Sequence, residues 1–297
     1  LQEAIESARA ASAGIPVMIT GWMHDQDIAY AIEEGFEFFV SDLERARQAL
    51  LSARSLGIPA KVHLEIETGM NRTGLSSREL TILADWMERE GEWLEFRGLS
   101  THLAGAENIA NHVRVRKQRL RFLRTHRRLA AKGIVPAVRH MACSAAMLNY
   151  PDTVLEMVRV GILLFGFWPS PETFIRHTVQ QKDPRDPLRR VMRWRSRVMS
   201  IRDVRKGEYI GYGSGYLARE DRRVAIIPVG YADGFNRTLS NQGRVLIQGQ
   251  PAPVIGLVNM SMLIADITHL PGTRRDDEVV LIGKQGESEI SVASFSE

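Results

Sequence analysis

Short apolar runs alternate with longer stretches of helical periodicity through the first two-thirds of the chain. The runs fall at 17–19, 36–40, 61–66, 96–103, 138–142 and 157–160, and helical patterns occupy 1–11, 25–34, 43–56, 77–90 and 106–132, with a short turn near 145–148. That alternation is the signature of parallel strands joined by crossover helices. Six such units without a clear break predict most of a closed (β/α)8 barrel. Periodicity alone leaves an open sheet as the alternative.

Beyond residue 173 the pattern changes. Pro171, Pro184 and Pro187 among charged residues read as a connection. Segments 193–204, 223–228, 243–247, 253–258, 263–266 and 278–282 then alternate with turn residues at the spacing of a small barrel or sandwich. The expected fold class is α/β: an incomplete (β/α)8 barrel over 1–184, lacking its first strand, and a smaller, mostly β domain over 185–297.

Composition narrows the function classes. With 297 residues, 44% hydrophobic and 25% charged, the chain has the make-up of a soluble globular protein with a real core. No apolar run is long enough to cross a bilayer, and a cytoplasmic protein is expected. The start at Leu1 reads as the interior of a longer chain. Cys143 is the single cysteine, which rules out an internal disulfide and gives no cluster for zinc or iron–sulfur; no metal is expected. The net charge of +4 draws on an arginine-rich run at 112–128. Leu120, Leu123 and Leu129 sit in it at roughly helical spacing, so it reads as an amphipathic helix with a solvated basic face. The competing reading is a nucleic-acid stripe, but no aromatic stacking platform accompanies it.

Two tyrosines lie in glycine-rich turns: Tyr212 in GYG at 211–213 and Tyr231 in GYADG at 230–234. A phenol, with a reference pKa of about 10, moves protons near neutrality only where its surroundings tune it. These motifs follow ETGMNRTG at 67–74, STHLA at 100–104, HMACSAA at 140–146 and MVRVGI at 157–162, and precede VNM at 258–260. Seven motifs in this order resemble the alanine racemases, and the resemblance covers nearly the whole chain.

The resemblance implies a pyridoxal-phosphate enzyme that interconverts L- and D-alanine by a two-base mechanism, for D-alanine supply to peptidoglycan. A serine-specific or broad-range racemase and a non-catalytic cofactor-binding homologue stay open as alternatives. Arg159 resembles the arginine that faces the cofactor's ring nitrogen and, being permanently protonated, leaves that nitrogen unprotonated. His140 would support Arg159. Ser144 and the backbone of Gly161 and Ile162 resemble the phosphate donors. Arg72 resembles the arginine near the cofactor's phenolic oxygen and the substrate carboxylate. Tyr212 resembles one racemisation base and His102 its hydrogen-bond partner, the tyrosine coming from the second subunit of a homodimer. Tyr231 and the backbone of Met260 would narrow the substrate entrance and contact the carboxylate. Taken singly, His140 would read as a hydrogen-bonded core residue and Tyr212 as edge-strand packing.

Several positions depart from the family pattern. Glu65 stands where many members carry a carbamylated lysine, and could pair with Arg72. Glu67 replaces the usual aspartate, and Cys143 the usual asparagine. None of Lys61, Lys117, Lys132, Lys182, Lys206 and Lys284 matches the family's Schiff-base lysine motif. The expectation is therefore that residues 1–297 alone are inactive, the family's lysine position falling before Leu1.

Overall fold

The computed structural model describes residues 1–11, 14–179 and 185–292. The chain divides into two compact units, Leu1–Leu188 and Arg189–Glu297. The expected boundary at 184/185 begins at Pro184, which lies, like Lys182, outside the described residues.

In the first unit, strands β1 (Met18–Ile19), β2 (Glu37–Val40), β3 (Ala60–Glu65), β4 (Leu94–Ser100) and β5 (Val138–His140) form one parallel sheet in sequential order. Helices α1 (Gln2–Ala10), α2 (Ile28–Glu33), α3 (Leu43–Leu56), α4 (Ser77–Glu90) and α5 (His112–Ala130) alternate with them, followed by the short α6 (Ser144–Asn149) and α7 (Pro171–Val179). Local chemistry sets the helix ends. Asp42 accepts from the Arg45 N–H at 2.8 Å to start α3, and Gly57 closes it in the left-handed conformation at φ 67°. Ser76 and Glu79 form a reciprocal capping box at α4.

Strand β3 shows how the unit is layered. Val62 and Leu64, with Ile66 just beyond, join Phe38, Val40 and Leu99 in the core packed by Ala49, Leu83 and Phe122 of the helices. Lys61, His63 and Glu65 alternate with them and occupy the opposite face. A strand with one polar face usually shows it to water, yet His63 and Glu65 are buried. The polar row lines the inside of a curled half-barrel.

Among the described residues of this unit five strands form where six were expected. Residues 157–160 contribute only an isolated bridge, Cys143 to Arg159. Pro171 opens α7 instead of starting a connection, as a proline can at a helix's first position because the N–H it lacks would have no intrahelical partner.

The second unit is β-rich, and its strands run β6 (Trp194–Arg197), β7 (Ser200–Val204), β8 (Arg222–Ile227), β9 (Arg244–Ile247), β10 (Gln250–Pro253), β11 (Leu263–Asp266), β12 (Glu278–Gln285) and β13 (Ser288–Ile290). One sheet has the order β10-β9-β12-β13, with β6 also on β12; the other is β11-β8-β7. Val198, Ala225, Ile227, Val245, Ile247, Ala265, Val279 and Leu281 fill the core. The single strand expected at 193–204 is split. Its chain changes sheets where the Val198 N–H donates to Asp277 O and the Met199 N–H to Ile226 O, at 2.9 and 2.8 Å. The strand expected at 253–258 lies earlier, as edge strand β10, where the missing N–H groups of Pro251 and Pro253 are tolerated. Among the described residues no helix is long and apolar enough to cross a membrane.

Candidate active site

The C-terminal ends of β3, β4 and β5 bring chemistry together in the first unit, as in parallel α/β folds generally. Arg159, on the segment bridged to Cys143, is its centre. Its Nη1 donates to Ser100 Oγ at 3.1 Å, to His140 O at 3.2 Å and to His140 Nδ1 in a close contact; Nη2 donates to Thr101 O at 2.8 Å. These four bonds fix the plane of the guanidinium. Burial draws its pKa down while nearby Cys143 and Glu65 raise it.

His140 is fully buried, and burial, then Arg159 and His63, push it down to about 3. It is a neutral imidazole. Phe39 stacks on its ring at a centroid distance of 5.8 Å and also lies 5.9 Å beneath the Arg159 guanidinium. His102 is pushed down by burial, then by Arg159 and Arg72, and its side chain makes no hydrogen bond among the described residues.

Beside this cluster, the Gly161 N–H donates to Ser144 Oγ at 2.9 Å. Gly161 precedes a 3-10 turn, Ile162–Phe165, whose first N–H groups have no intrahelical partner. A serine hydroxyl beside the start of a 3-10 turn is a donor set that suits a phosphate dianion.

The loop carrying Arg72 is built by Glu67, whose carboxylate accepts from the Asn71 N–H at 2.8 Å and, more closely, from the Gly69 N–H. Gly74, at φ 116°, closes the loop where a Cβ would stand 2.7 Å from Glu67 N. Arg72 itself is exposed. The expected pair with Glu65 does not form among the described residues: Glu65 is buried at 8% exposure on β3, and its charge bears on Arg159 instead.

Helix α5 forms where the arginine-rich run predicts it, with Val115, Phe122 and Leu129 buried. Its basic face is more than solvated. Arg121 donates to Thr68 O and Arg114 to Gly69 O, both at 2.9 Å. Buried Gln118 accepts from the Ala104 N–H at 2.9 Å and donates to His102 O at 3.0 Å and Thr68 Oγ1 at 3.3 Å. One amide thus ties the His102 segment to the Arg72 loop.

In the second unit, Tyr212 sits between Gly211 and Gly213, at φ 83° and 71°, and is 76% exposed. The Tyr231 N–H donates to Asn259 O at 3.0 Å and the Ala232 N–H to Met260 O at 2.9 Å. Gly211 abuts Gly256 and Gly213 abuts Leu257, so the strip 256–260 underlies both tyrosine turns. Tyr231 and Met260 are exposed as well, and the Arg237 guanidinium lies 5.9 Å from the Tyr231 ring.

The described lysines lie elsewhere in their units. Lys61 reaches Gly35 O from the N-terminal end of β3, Lys132 pairs with Asp85 and Glu88, Lys117 is exposed on α5, and Lys206 and Lys284 belong to the second unit. Among the described residues no group of His, Cys, Asp or Glu is placed to hold a metal ion. Sequence reasoning missed Ser100, Thr101, Gln118, His63, Glu37 and Arg97. The polar alternation of Lys61, His63 and Glu65 along the strand is the available signal.

Residues 1–169 match the alanine racemase N-terminal domain and residues 191–297 the alanine racemase C-terminal domain. The alanine racemase of Syntrophobacter fumaroxidans is 36% identical over 290 residues, covering 97% of this chain and 74% of its own. Among solved structures, the alanine racemase of Streptomyces coelicolor A3(2) superposes with TM-score 0.84 at 30% identity, over 99% of this chain and 76% of its own. That of Bacillus anthracis, with bound L-Ala-P, gives 0.86 at 30% identity, over 99% and 73%. These relatives, on a half-barrel with a β-rich second unit, make the chain an isomerase of the racemase class. More particularly, the chain belongs to the alanine racemase family, whose members in general depend on pyridoxal phosphate.

Proposed function

We propose that this protein interconverts L- and D-alanine with pyridoxal phosphate held at the end of the β3–β5 sheet. The observation that carries the reading is the juxtaposition of Ser144 and Gly161 at 2.9 Å beside a four-times-bonded Arg159. Ser144 Oγ and the N–H groups of Gly161 and Ile162 would hold the phosphate. Arg159 would face the ring nitrogen, and Arg72 the phenolic oxygen and the substrate carboxylate.

When bound, the cofactor acidifies the Cα–H of an attached amino acid. Arg159 limits how far. A guanidinium does not give up its proton, so Arg159 would donate to the ring nitrogen without protonating it and would thereby limit how much charge the ring withdraws. That favours returning the proton over losing the carboxylate. His140 holds Arg159 in this role as a neutral acceptor.

Tyr212 is the proposed base at one face of Cα, supplied by a second copy of the chain in a homodimer, with His102 its hydrogen-bond partner. Exposure of Tyr212, Tyr231 and Met260 on the second unit, and a His102 imidazole without a hydrogen-bond partner among the described residues, support that arrangement. Tyr231 and the Met260 backbone would narrow the entrance. A cytoplasmic location fits this small-molecule chemistry.

The test uses the protein expressed with whatever its gene encodes on either side. L-alanine should lose its circular dichroism and gain deuterium at Cα in D2O. Tyr212→Phe should lower turnover by about 10²- to 10⁴-fold, the usual contribution of a general base. Cofactor uptake without exchange would instead mark a non-catalytic homologue, and faster exchange with L-serine a different substrate.

A further inference from the structure

We infer that Glu37 is a positioning residue for Arg159, acting through His63 and His140 along a one-directional chain of hydrogen bonds. The inference rests on the reading above that Arg159 meets the cofactor ring.

The chain starts at Arg159, a donor with no acceptor atom. His140 Nδ1 must therefore accept from Nη1. A neutral His140 then carries its proton on Nε2, and Nε2 lies 2.9 Å from His63 Nδ1. His63 accepts there, so its own proton sits on Nε2, 2.7 Å from Glu37 Oε2. The carboxylate accepts this proton and, through Oε1, the Arg97 Nε–H at 3.1 Å. Starting from the carboxylate, which only accepts, gives the same tautomers in reverse.

Four strands supply the chain: β2 gives Glu37, β3 His63, β4 Arg97 and β5 His140. Gly98 makes the histidine contact possible, since a Cβ there would stand 3.0 Å from His140 Nε2 and closer still to His63 Nδ1. His63 and His140 are 1% and 0% exposed, so water cannot replace a lost partner. A second proton on either ring would aim an N–H at an N–H. Burial and Arg159 also disfavour protonation of both rings; for His63, burial together with Arg97 and Arg159 outweighs the opposing pull of Glu37.

Glu37 is thus two imidazoles away from Arg159 yet selects which His140 nitrogen faces it. Without the carboxylate, His63 is free to carry its proton on Nδ1. His140 would then have to accept at Nε2 and turn its own Nδ1–H toward the guanidinium. Arg159 would lose an acceptor and shift.

The test combines tautomers with kinetics. Two-bond ¹H–¹⁵N spectra of the histidine-labelled protein without cofactor should show Nε2–H tautomers for both His63 and His140, assigned with single His→Gln variants. In Glu37→Gln, one amide oxygen cannot serve both Arg97 and His63. Its tautomers should become mixed, and kcat for alanine should fall about tenfold, as for one lost hydrogen bond to a charged group, with KM little changed. Adding Arg97→Leu frees that oxygen for His63 and should restore the tautomers and most of kcat. Nδ1–H tautomers in the wild type, or wild-type tautomers in Glu37→Gln, would overturn the inference, as would a double variant no better than the single. The tautomer readout needs no turnover, so it stands even if the alanine reading fails.

Discussion

Gly98 and His63 face each other in register on β4 and β3, so closely that a Cβ on the glycine would collide with the imidazole. Gly98 is not in the left-handed region, so alanine would suit its backbone and by chain entropy alone would stabilise by about 0.4–1 kcal/mol. Overcrowding a packed site costs about 1–3 kcal/mol. Gly98→Ala should therefore lower the urea midpoint and Tm. A rise in Tm would show that the contact is slack.

The buried histidines make stability pH-dependent. His140 is held at about 3 in the fold and would return toward 6.5 on unfolding, because burial and Arg159 disfavour its charged form. Between these values the unfolded chain binds the extra proton, so unfolding free energy rises with pH from about 3 to 6.5 and levels off above. One group contributes at most about 1.4 kcal/mol per pH unit. His63, shifted the same way with Glu37 opposing, adds to the slope. Urea titrations at pH 4.5, 5.5 and 7 should show this loss on acidification, and His140→Gln should flatten it. An equal slope in wild type and variant would assign it to other groups.

Much of the fold was legible because period and punctuation agreed. The bounds of α3 and α4 follow from Asp42, Gly57, Ser76 and Glu79, which act within a few residues of themselves. Misreadings came where tertiary context decides. Residues 157–160 have strand composition but make a single bridge, Arg159 being committed to Ser100, Thr101 and His140. Pro251 and Pro253 argue against a strand unless the edge position is known. In the site, Ser144 with Gly161 came from motif order. Glu37 could not be found that way: it reads as a polar break in an apolar run, and its partners lie 26 and 60 positions along the chain.

Gln118 gives a separate prediction. Its amide satisfies the Ala104 N–H and binds both His102 O and Thr68 Oγ1. Gln118→Leu keeps the bulk and strands a buried N–H, at a cost of about 1–3 kcal/mol. Because it joins the His102 and Arg72 segments, amide exchange should quicken at 102–104 and 68–72 more than in α4. Uniform change across the unit would mean that Gln118 only supports global stability.

Ser144 carries the phosphate assignment. In the structure its hydroxyl accepts the Gly161 N–H, which holds the two groups together at the start of the 3-10 turn. Ser144→Ala removes a donor to a dianion, and a hydrogen bond to a charged group contributes about 1.5–3 kcal/mol. The Kd for pyridoxal phosphate should rise about tenfold to hundredfold, since about 1.4 kcal/mol is a factor of ten. Ser144→Thr keeps the hydroxyl and should retain most of the affinity. Fluorescence titration with pyridoxal phosphate and with pyridoxal separates the possibilities. Only the phosphorylated ligand should discriminate between wild type and Ser144→Ala. Equal weakening for both ligands would place the phosphate elsewhere and remove Gly161 and Ile162 from the site along with Ser144.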